Sequence, residues 1–207
     1  MVRATRGELE APLFPQEEAM VERAVEKRRR EFATARTCAR EALAELGEPA
    51  KPILSGPKGE PLWPAGVIGS ITHCDGYRAC AVARSSRLSA LGVDAEPALP
   101  LPEGLLGDIA LPPERAMLLR LAQEAPGMPW DRLLFSIKES VYKAWFPLAE
   151  RWLGFEDATV AIDARERTFE ARLLVRGPQL AGRELRGFRG RWLASEGLLL
   201  AAIAVAA

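Results

Sequence analysis

Residues 133–145 read LLFSIKESVYKAW, and a helix over Trp130–Phe146 is predicted around them. On such a helix Glu139 and Lys143 stand four residues apart and meet on one face. An ordinary surface pair of that kind contributes about 0.2–0.5 kcal/mol. That reading accounts for the charges but gives no reason for the apolar company of Phe135, Tyr142, Trp145 and Phe146. A Lys138, Glu139 and Lys143 set on an otherwise largely buried helix points to a site instead. Pro147 disfavours helical geometry at Phe146 and is expected to end the helix there.

On either side of this helix the chain alternates in the same manner. Before it lies a helix near Pro113–Gln123, and after it come strands at Ala158–Asp163, Thr168–Val175, Arg191–Ser195 and Leu198–Val205, the last pair joined by a Glu196-Gly197 turn. In the first half, Gln16–Leu46 reads as helix, broken or continuous, with Met20, Val21, Ala24, Val25, Phe32, Ala35, Ala39, Leu43 and Leu46 at helical spacing and Gly47 as its stop. A Pro- and Gly-rich loop follows at Pro49–Pro64, then strands at Gly66–Thr72, Tyr77–Arg84 and Leu88–Glu96. A second Pro-rich stretch, Pro97–Pro113, separates the halves. Helices precede strands twice, which predicts an α+β protein of two subdomains side by side, residues 1–98 and 99–207, although no identity repeat is visible. A site between such halves is the expectation.

Composition narrows the chemistry. The 207 residues are 48% hydrophobic and carry 28 basic against 28 acidic side chains, which excludes a disordered chain and any global electrostatic argument for nucleic acid or membranes. Cys38, Cys74 and Cys80 are too few and too scattered for a disulfide scaffold or zinc site. His73 is the single histidine, so a histidine pair within the chain is excluded. The start, Met1 to Pro12, has no apolar core of a signal peptide, and the apolar run Leu198–Ala207 is half of the roughly 20 residues that a membrane helix needs. A cytoplasmic protein is expected.

Three further places could bear chemistry. Asp94 and Glu96, in LSALGVDAE, point to one side if that run is strand; they are either a solvated edge or an oxygen-only pair suited to Mg²⁺ or Mn²⁺. The basic cluster Lys27-Arg28-Arg29-Arg30, with Arg36 and Arg40, is either a solvated helix face or an anion-binding stripe. His73 follows Ser70 and Thr72 at a strand end, where it is either structural or part of a phosphate cradle.

Four segments in order, EFATARTCAR (31–40), PLWPAGVIGSITHC (61–74), LGVDAEP (91–97) and LLFSIKESVYKAW (133–145), resemble the 4′-phosphopantetheinyl transferases of the Sfp/EntD type. The set (G/S)-x-(T/S)-H, G-(I/V)-D-x-E and F-(S/T)-x-K-E-(S/A)-x-(Y/F)-K is specific in combination, and the likeness runs roughly from Phe14 to Val205. The resemblance implies a pseudo-dimer of two similar α+β subdomains in one monomer, with the active site in the cleft between them. It implies Mg²⁺-dependent transfer of the 4′-phosphopantetheine arm from coenzyme A to a serine of an apo acyl or peptidyl carrier protein, releasing 3′,5′-ADP. By the same resemblance Asp94, Glu96 and Glu139 bind the metal, Glu139 as ligand, general base or both. Lys143 neutralises the reacting phosphate with Lys138 beside it, and Arg28, Arg36, Lys58, Thr72 and His73 contact coenzyme A. Ala95, between the two acids, offers the metal no side chain. Leu105–Arg132 carries no motif and is the expected carrier-docking region, with Leu105, Leu106 and Met117 as exposed contacts. A nucleotide pyrophosphohydrolase and a non-catalytic coenzyme A or carrier-binding module are the alternatives.

Overall fold

The structure, a computed structural model, describes residues 1–9 and 11–207. Its first lobe contains α1 (Pro15–Val21), α2 (Glu26–Glu45) and a three-stranded antiparallel sheet in the order β1 (Val2–Thr5), β3 (Tyr77–Arg84), β2 (Val67–Cys74). Cys38, Ala39, Ala42 and Leu43, one stripe of α2, pack on Val67, Cys80 and Val82. The helical stretch expected over Gln16–Leu46 is thus two helices, interrupted between Val21 and Glu26. β1 was not anticipated: its pattern is exposed along most of its length, so it shows no core alternation.

The second lobe contains β4 (Leu88–Pro97), α3 (Leu106–Ile109), α4 (Pro112–Glu124), α5 (Trp130–Ala149), β5 (Ala158–Asp163), β6 (Thr168–Leu173), the short pair β7 (Gln179–Leu180) and β8 (Arg183–Glu184), β9 (Gly187–Ser195) and β10 (Leu198–Ala206). The main sheet runs β4-β10-β9-β6-β5. Leu134, Ile137, Val141, Ala144 and Trp145 of α5 pack with Phe169, Trp192, Leu199 and Ile203. The architecture is α+β, with a 20-residue helix on an antiparallel sheet in each lobe.

Three expectations are corrected. Pro147 does not end α5, which runs to Ala149 and closes when the Glu150 N–H, from a residue with φ 50°, donates to the Phe146 carbonyl at 2.8 Å. In the last turn a missing N–H removes only one ladder bond. The division after residue 98 would leave β4 in the first lobe, yet β4 is laddered along β10, from Pro97 opposite Leu198 to Leu88 opposite Ala206. Finally, Met117 is buried in the second core and Leu106 packs on its edge, so neither is an exposed docking residue, whereas Leu105 is exposed.

Gly92 explains how close α5 comes to β4. A Cβ at this position would overlap the Ser140 carbonyl and the Ala144 backbone, so only glycine lets the helix settle on the strand. On its other side β4 meets β2 without a ladder. The Ser70 hydroxyl accepts the Val93 N–H at 3.0 Å, and the Thr72 hydroxyl accepts the Ala95 N–H at 2.9 Å. Two side chains therefore do at this seam what strand backbones do elsewhere.

Candidate active site

A cleft of about 800 Å³ lies between the lobes. Its walls come from α1, α2, the 55–63 loop, β2 and α5, and Arg28, Arg36, Lys58, His73, Glu139 and Lys143 all line it. Phe32, Trp63, Tyr142 and Phe146 form apolar wall beside them. Trp63 is fixed across β2: its indole N–H donates to the Gly69 carbonyl at 3.0 Å, and a Cβ on Gly69 would stand 2.7 Å from the ring.

The basic side is built on α2. Arg28 donates to His73 Nε2 at 2.6 Å, so that nitrogen carries the lone pair and the ring is neutral. Burial, and then the Arg28 charge, hold His73 below its ordinary value, with Glu31 opposing them. Arg36 is buried; its Nε donates to the Ile53 carbonyl at 2.9 Å and its terminal nitrogen to the Ser55 hydroxyl at 3.2 Å. Its guanidinium also stands 4.3 Å over the Phe32 ring. Arg36 thus anchors the loop that carries Lys58 as well as facing the cleft. Lys58 is exposed at the cleft wall.

The acidic side is built where β4 meets α5. Asp94 is 5% exposed; its Oδ1 accepts from Lys143 Nζ at 2.7 Å and from the Thr72 hydroxyl at 3.3 Å. Its Oδ2 is buried with no hydrogen-bond partner among the described residues. Glu96 accepts from Arg132 at 2.9 Å, and Arg132 also donates to the Leu99 and Pro100 carbonyls. Burial and the neighbouring Asp94 charge push Glu96 and Glu139 up, against Arg132 in one case and Lys143 in the other.

Among the described residues no three His, Cys, Asp or Glu side chains stand together closely enough to hold a metal ion. Asp94, Glu96 and Glu139 are therefore not a ready-made trio as expected, because Lys143 and Arg132 occupy the first two. The donor chemistry nevertheless fits a hard divalent cation. All three offer oxygen only, burial and then the Asp94 charge push Glu96 and Glu139 up, and Asp94 has a buried oxygen in want of a positive partner.

Two expected contacts with coenzyme A fall elsewhere. Lys138 is buried on the opposite side of α5, paired with Glu114 at 2.9 Å and donating to the Phe155 and Ala158 carbonyls. One residue on from Lys138 a helix turns by about 100°, so Lys138 and Glu139 cannot face the same way. Thr72 is 2% exposed, and both of its bonds run to β4 rather than into the cleft. Arg132 was missed by sequence reasoning. It lies seven positions before Glu139 on α5, a helical spacing that could have drawn attention to it.

Comparison with known proteins identifies the family. Residues 16–83 match the model of the 4′-phosphopantetheinyl transferase N-terminal domain, and residues 90–192 match that of the 4′-phosphopantetheinyl transferase superfamily. The interval between the matches falls just before and into β4, in keeping with that strand's place in the second sheet. The chain is 57% identical over 195 residues to the 4′-phosphopantetheinyl transferase Svp of Streptomyces mobaraensis, covering 94% of this chain and 79% of that protein. It is 51% identical over 200 residues to Npt of Nocardia iowensis, covering 93% and 89% respectively. To PptT of Mycobacterium tuberculosis it is 49% identical over 194 residues, covering 92% and 85%. With two matched domains, near-complete coverage and a cleft between two lobes lined by Arg28, Arg36, His73, Glu139 and Lys143, the chain belongs to the 4′-phosphopantetheinyl transferase family of enzymes.

Proposed function

We propose that this chain transfers the 4′-phosphopantetheine arm of coenzyme A to a serine hydroxyl of an apo acyl or peptidyl carrier protein, releasing 3′,5′-ADP. Asp94, Glu96 and Glu139 would hold a Mg²⁺ or Mn²⁺ ion. The observation that carries this reading is Asp94, buried in the seam beside the cleft with one oxygen on Lys143 and the other without a partner. A cation-seeking acid next to a cleft lined by Arg28, Arg36, Lys58 and His73 suits a ligand bearing several phosphates.

In this reading Arg28, Arg36 and His73 bind phosphate oxygens, and Lys58 adds charge at the wall. Lys143 faces the reacting phosphate. The serine oxygen bonds to the phosphorus of the pantetheine-side phosphate, and the bond from that phosphorus to the oxygen of the adenosine-side phosphate breaks with its electron pair. The serine proton passes to Glu139, which lines the cleft where the hydroxyl would arrive. A bound divalent ion would neutralise charge on the departing 3′,5′-ADP. Both walls of the cleft come from one chain, which supports a monomer as the working unit.

Incubation with coenzyme A, Mg²⁺ and apo carriers of both acyl and peptidyl type tests the proposal by mass spectrometry. A gain of one arm on at least one carrier is expected, and Glu139→Gln should abolish it while coenzyme A still binds. Unmodified carriers in every case would overturn the reading. Release of 3′,5′-ADP without any carrier would point instead to a pyrophosphohydrolase.

A further inference from the structure

We infer that Thr72 is a positioning residue for Asp94, and that it determines which oxygen of that carboxylate is left for a cation. The inference rests on the transferase reading for its consequence, but its geometry is independent of it. Thr72 is 2% exposed, at the seam where β2 meets β4. Its hydroxyl has one proton to give and lone pairs to receive, and the seam uses both capacities. It accepts the Ala95 N–H at 2.9 Å and donates to Asp94 Oδ1 at 3.3 Å. With both directions satisfied inside the protein, the hydroxyl has no proton left for a coenzyme A phosphate.

The consequence lies at Asp94. Lys143 Nζ reaches the same Oδ1 at 2.7 Å, so two donors from two elements converge on one oxygen. A carboxylate held at one oxygen from two directions cannot rotate without losing both bonds. Oδ2 is consequently the oxygen that stays buried and without a partner. Lys143 stands on a long, flexible stem, is 26% exposed and lines the cleft, so an incoming phosphate can draw it away. Thr72 is short, β-branched and buried, and remains when Lys143 moves. It therefore keeps Asp94 oriented, with Oδ2 open to a divalent ion, when Lys143 turns to the phosphate.

Ser70 supplies an internal comparison. Its hydroxyl accepts the Val93 N–H at 3.0 Å in the same seam and donates to the Val93 backbone carbonyl at 3.5 Å rather than to an acid. If Thr72 merely joined the sheets, removing either hydroxyl would have the same effect on cation binding.

The test compares wild type, Thr72→Val, Thr72→Ser and Ser70→Ala. Mn²⁺ affinity is read by calorimetry on the coenzyme A-free protein, alongside the Mg²⁺ concentration giving half-maximal transfer and the KM for coenzyme A. Thr72→Val, nearly isosteric, should weaken Mn²⁺ binding and raise the Mg²⁺ requirement roughly 10-fold or more, with KM for coenzyme A unchanged. Thr72→Ser should restore both, and Ser70→Ala should lower the unfolding temperature without that shift. A raised KM for coenzyme A in Thr72→Val with an unchanged metal requirement would overturn the inference, because it would put the hydroxyl on the substrate. Equal metal shifts in Thr72→Val and Ser70→Ala, or no Mn²⁺ binding to wild type, would also overturn it. A wild type that transfers no arm would sink the transferase reading instead, and the Mn²⁺ titrations would still decide Thr72.

Discussion

Glu17 and Glu114 occupy the same place in the two lobes. Each is the third residue of a helix opened by proline, in Phe14-Pro15-Gln16-Glu17 and Leu111-Pro112-Pro113-Glu114. Each accepts the N–H of the residue before that helix, at 3.0 Å from Phe14 and 2.7 Å from Leu111. Their other oxygens accept backbone N–H groups further along the chain, Ile53 at 2.9 Å and Val160 at 2.7 Å. Each also pairs with a cation of the long helix that follows, Arg40 at 2.8 Å and Lys138 at 2.9 Å. Both glutamates are at most 1% exposed. A buried carboxylate with three donors is fully satisfied, and here it ties helix start, long helix and neighbouring segment into one unit.

That relationship makes Lys138 a residue of the fold. Lys138→Met leaves Glu114 buried with one cation fewer, and removing one partner of a buried pair costs about 3–5 kcal/mol. Urea unfolding should show a loss of that size, offset in part by the two backbone donors that remain. The KM for coenzyme A should not change in the folded fraction. A raised KM with unchanged stability would return Lys138 to the substrate.

Gly92→Ala tests how closely the acidic side is assembled. The added methyl would overlap the Ser140 carbonyl, which is backbone and cannot rotate aside. Overpacking of this kind costs about 1–3 kcal/mol, and the strain falls where α5 brings Lys143 to Asp94. A fall in kcat greater than the loss of folded protein is expected, from steady-state kinetics beside thermal unfolding. Wild-type kcat and stability would show that the helix can move off β4 without consequence.

The single histidine gives an unambiguous pH probe, because only one side chain contributes an imidazole Hε1 resonance. Burial and then Arg28 lower its pKa from the ordinary 6.5. A depressed folded value means that folding favours the neutral ring over the imidazolium. Its contribution to stability is present above pH 6.5 and is lost as the pH falls through the folded value. The NMR midpoint should lie below 6.5, and Arg28→Ala should move it upward by removing a like charge. Added coenzyme A should also move it upward, because phosphate favours the imidazolium. A midpoint at or above 6.5 in the ligand-free protein would contradict the Arg28–His73 geometry.

Motif and periodicity made much of this legible. Ala35, Ala39 and Leu43 mark the buried stripe of α2 through their spacing, and Arg28, Arg36, Lys58, His73, Glu139 and Lys143 do line one cleft. What stayed hidden depends on direction and on partners remote in the chain. Lys138 and Glu139 are neighbours in sequence, yet the helix turns them to opposite sides, and only Glu114 reveals which side is buried. Thr72 sits beside His73, but strand alternation sends one inward and the other to the cleft. The repeat behind the two lobes was invisible as identity because only the pattern of apolar residue, proline, any residue and glutamate is shared. Membership of β4 in the second sheet depends on β10, more than a hundred residues away, which local pattern cannot report.

Arg28 and Arg36 both face the cleft but should respond differently to substitution. Arg28 is 48% exposed, and its contacts are His73 at 2.6 Å and Glu31 at 4.0 Å. Arg28→Ala should therefore leave the unfolding temperature nearly unchanged and raise the KM for coenzyme A about 10-fold, the equivalent of one charge-assisted bond of about 1.4 kcal/mol. Arg36 holds the Ile53 carbonyl and the Ser55 hydroxyl while stacked on Phe32, so Arg36→Ala removes an anchor from the loop that carries Lys58. Loss of hydrogen bonds to a charged group costs about 1.5–3 kcal/mol, and the KM should rise with that loss. Arg36→Lys should not rescue either property, since an ammonium cannot reproduce the planar fork that reaches both loop residues. Calorimetric unfolding and coenzyme A titration on the three variants separate the two roles. Equal destabilisation by Arg28→Ala and Arg36→Ala would show that the basic helix is a single structural unit and not an anion-binding face with one built-in anchor.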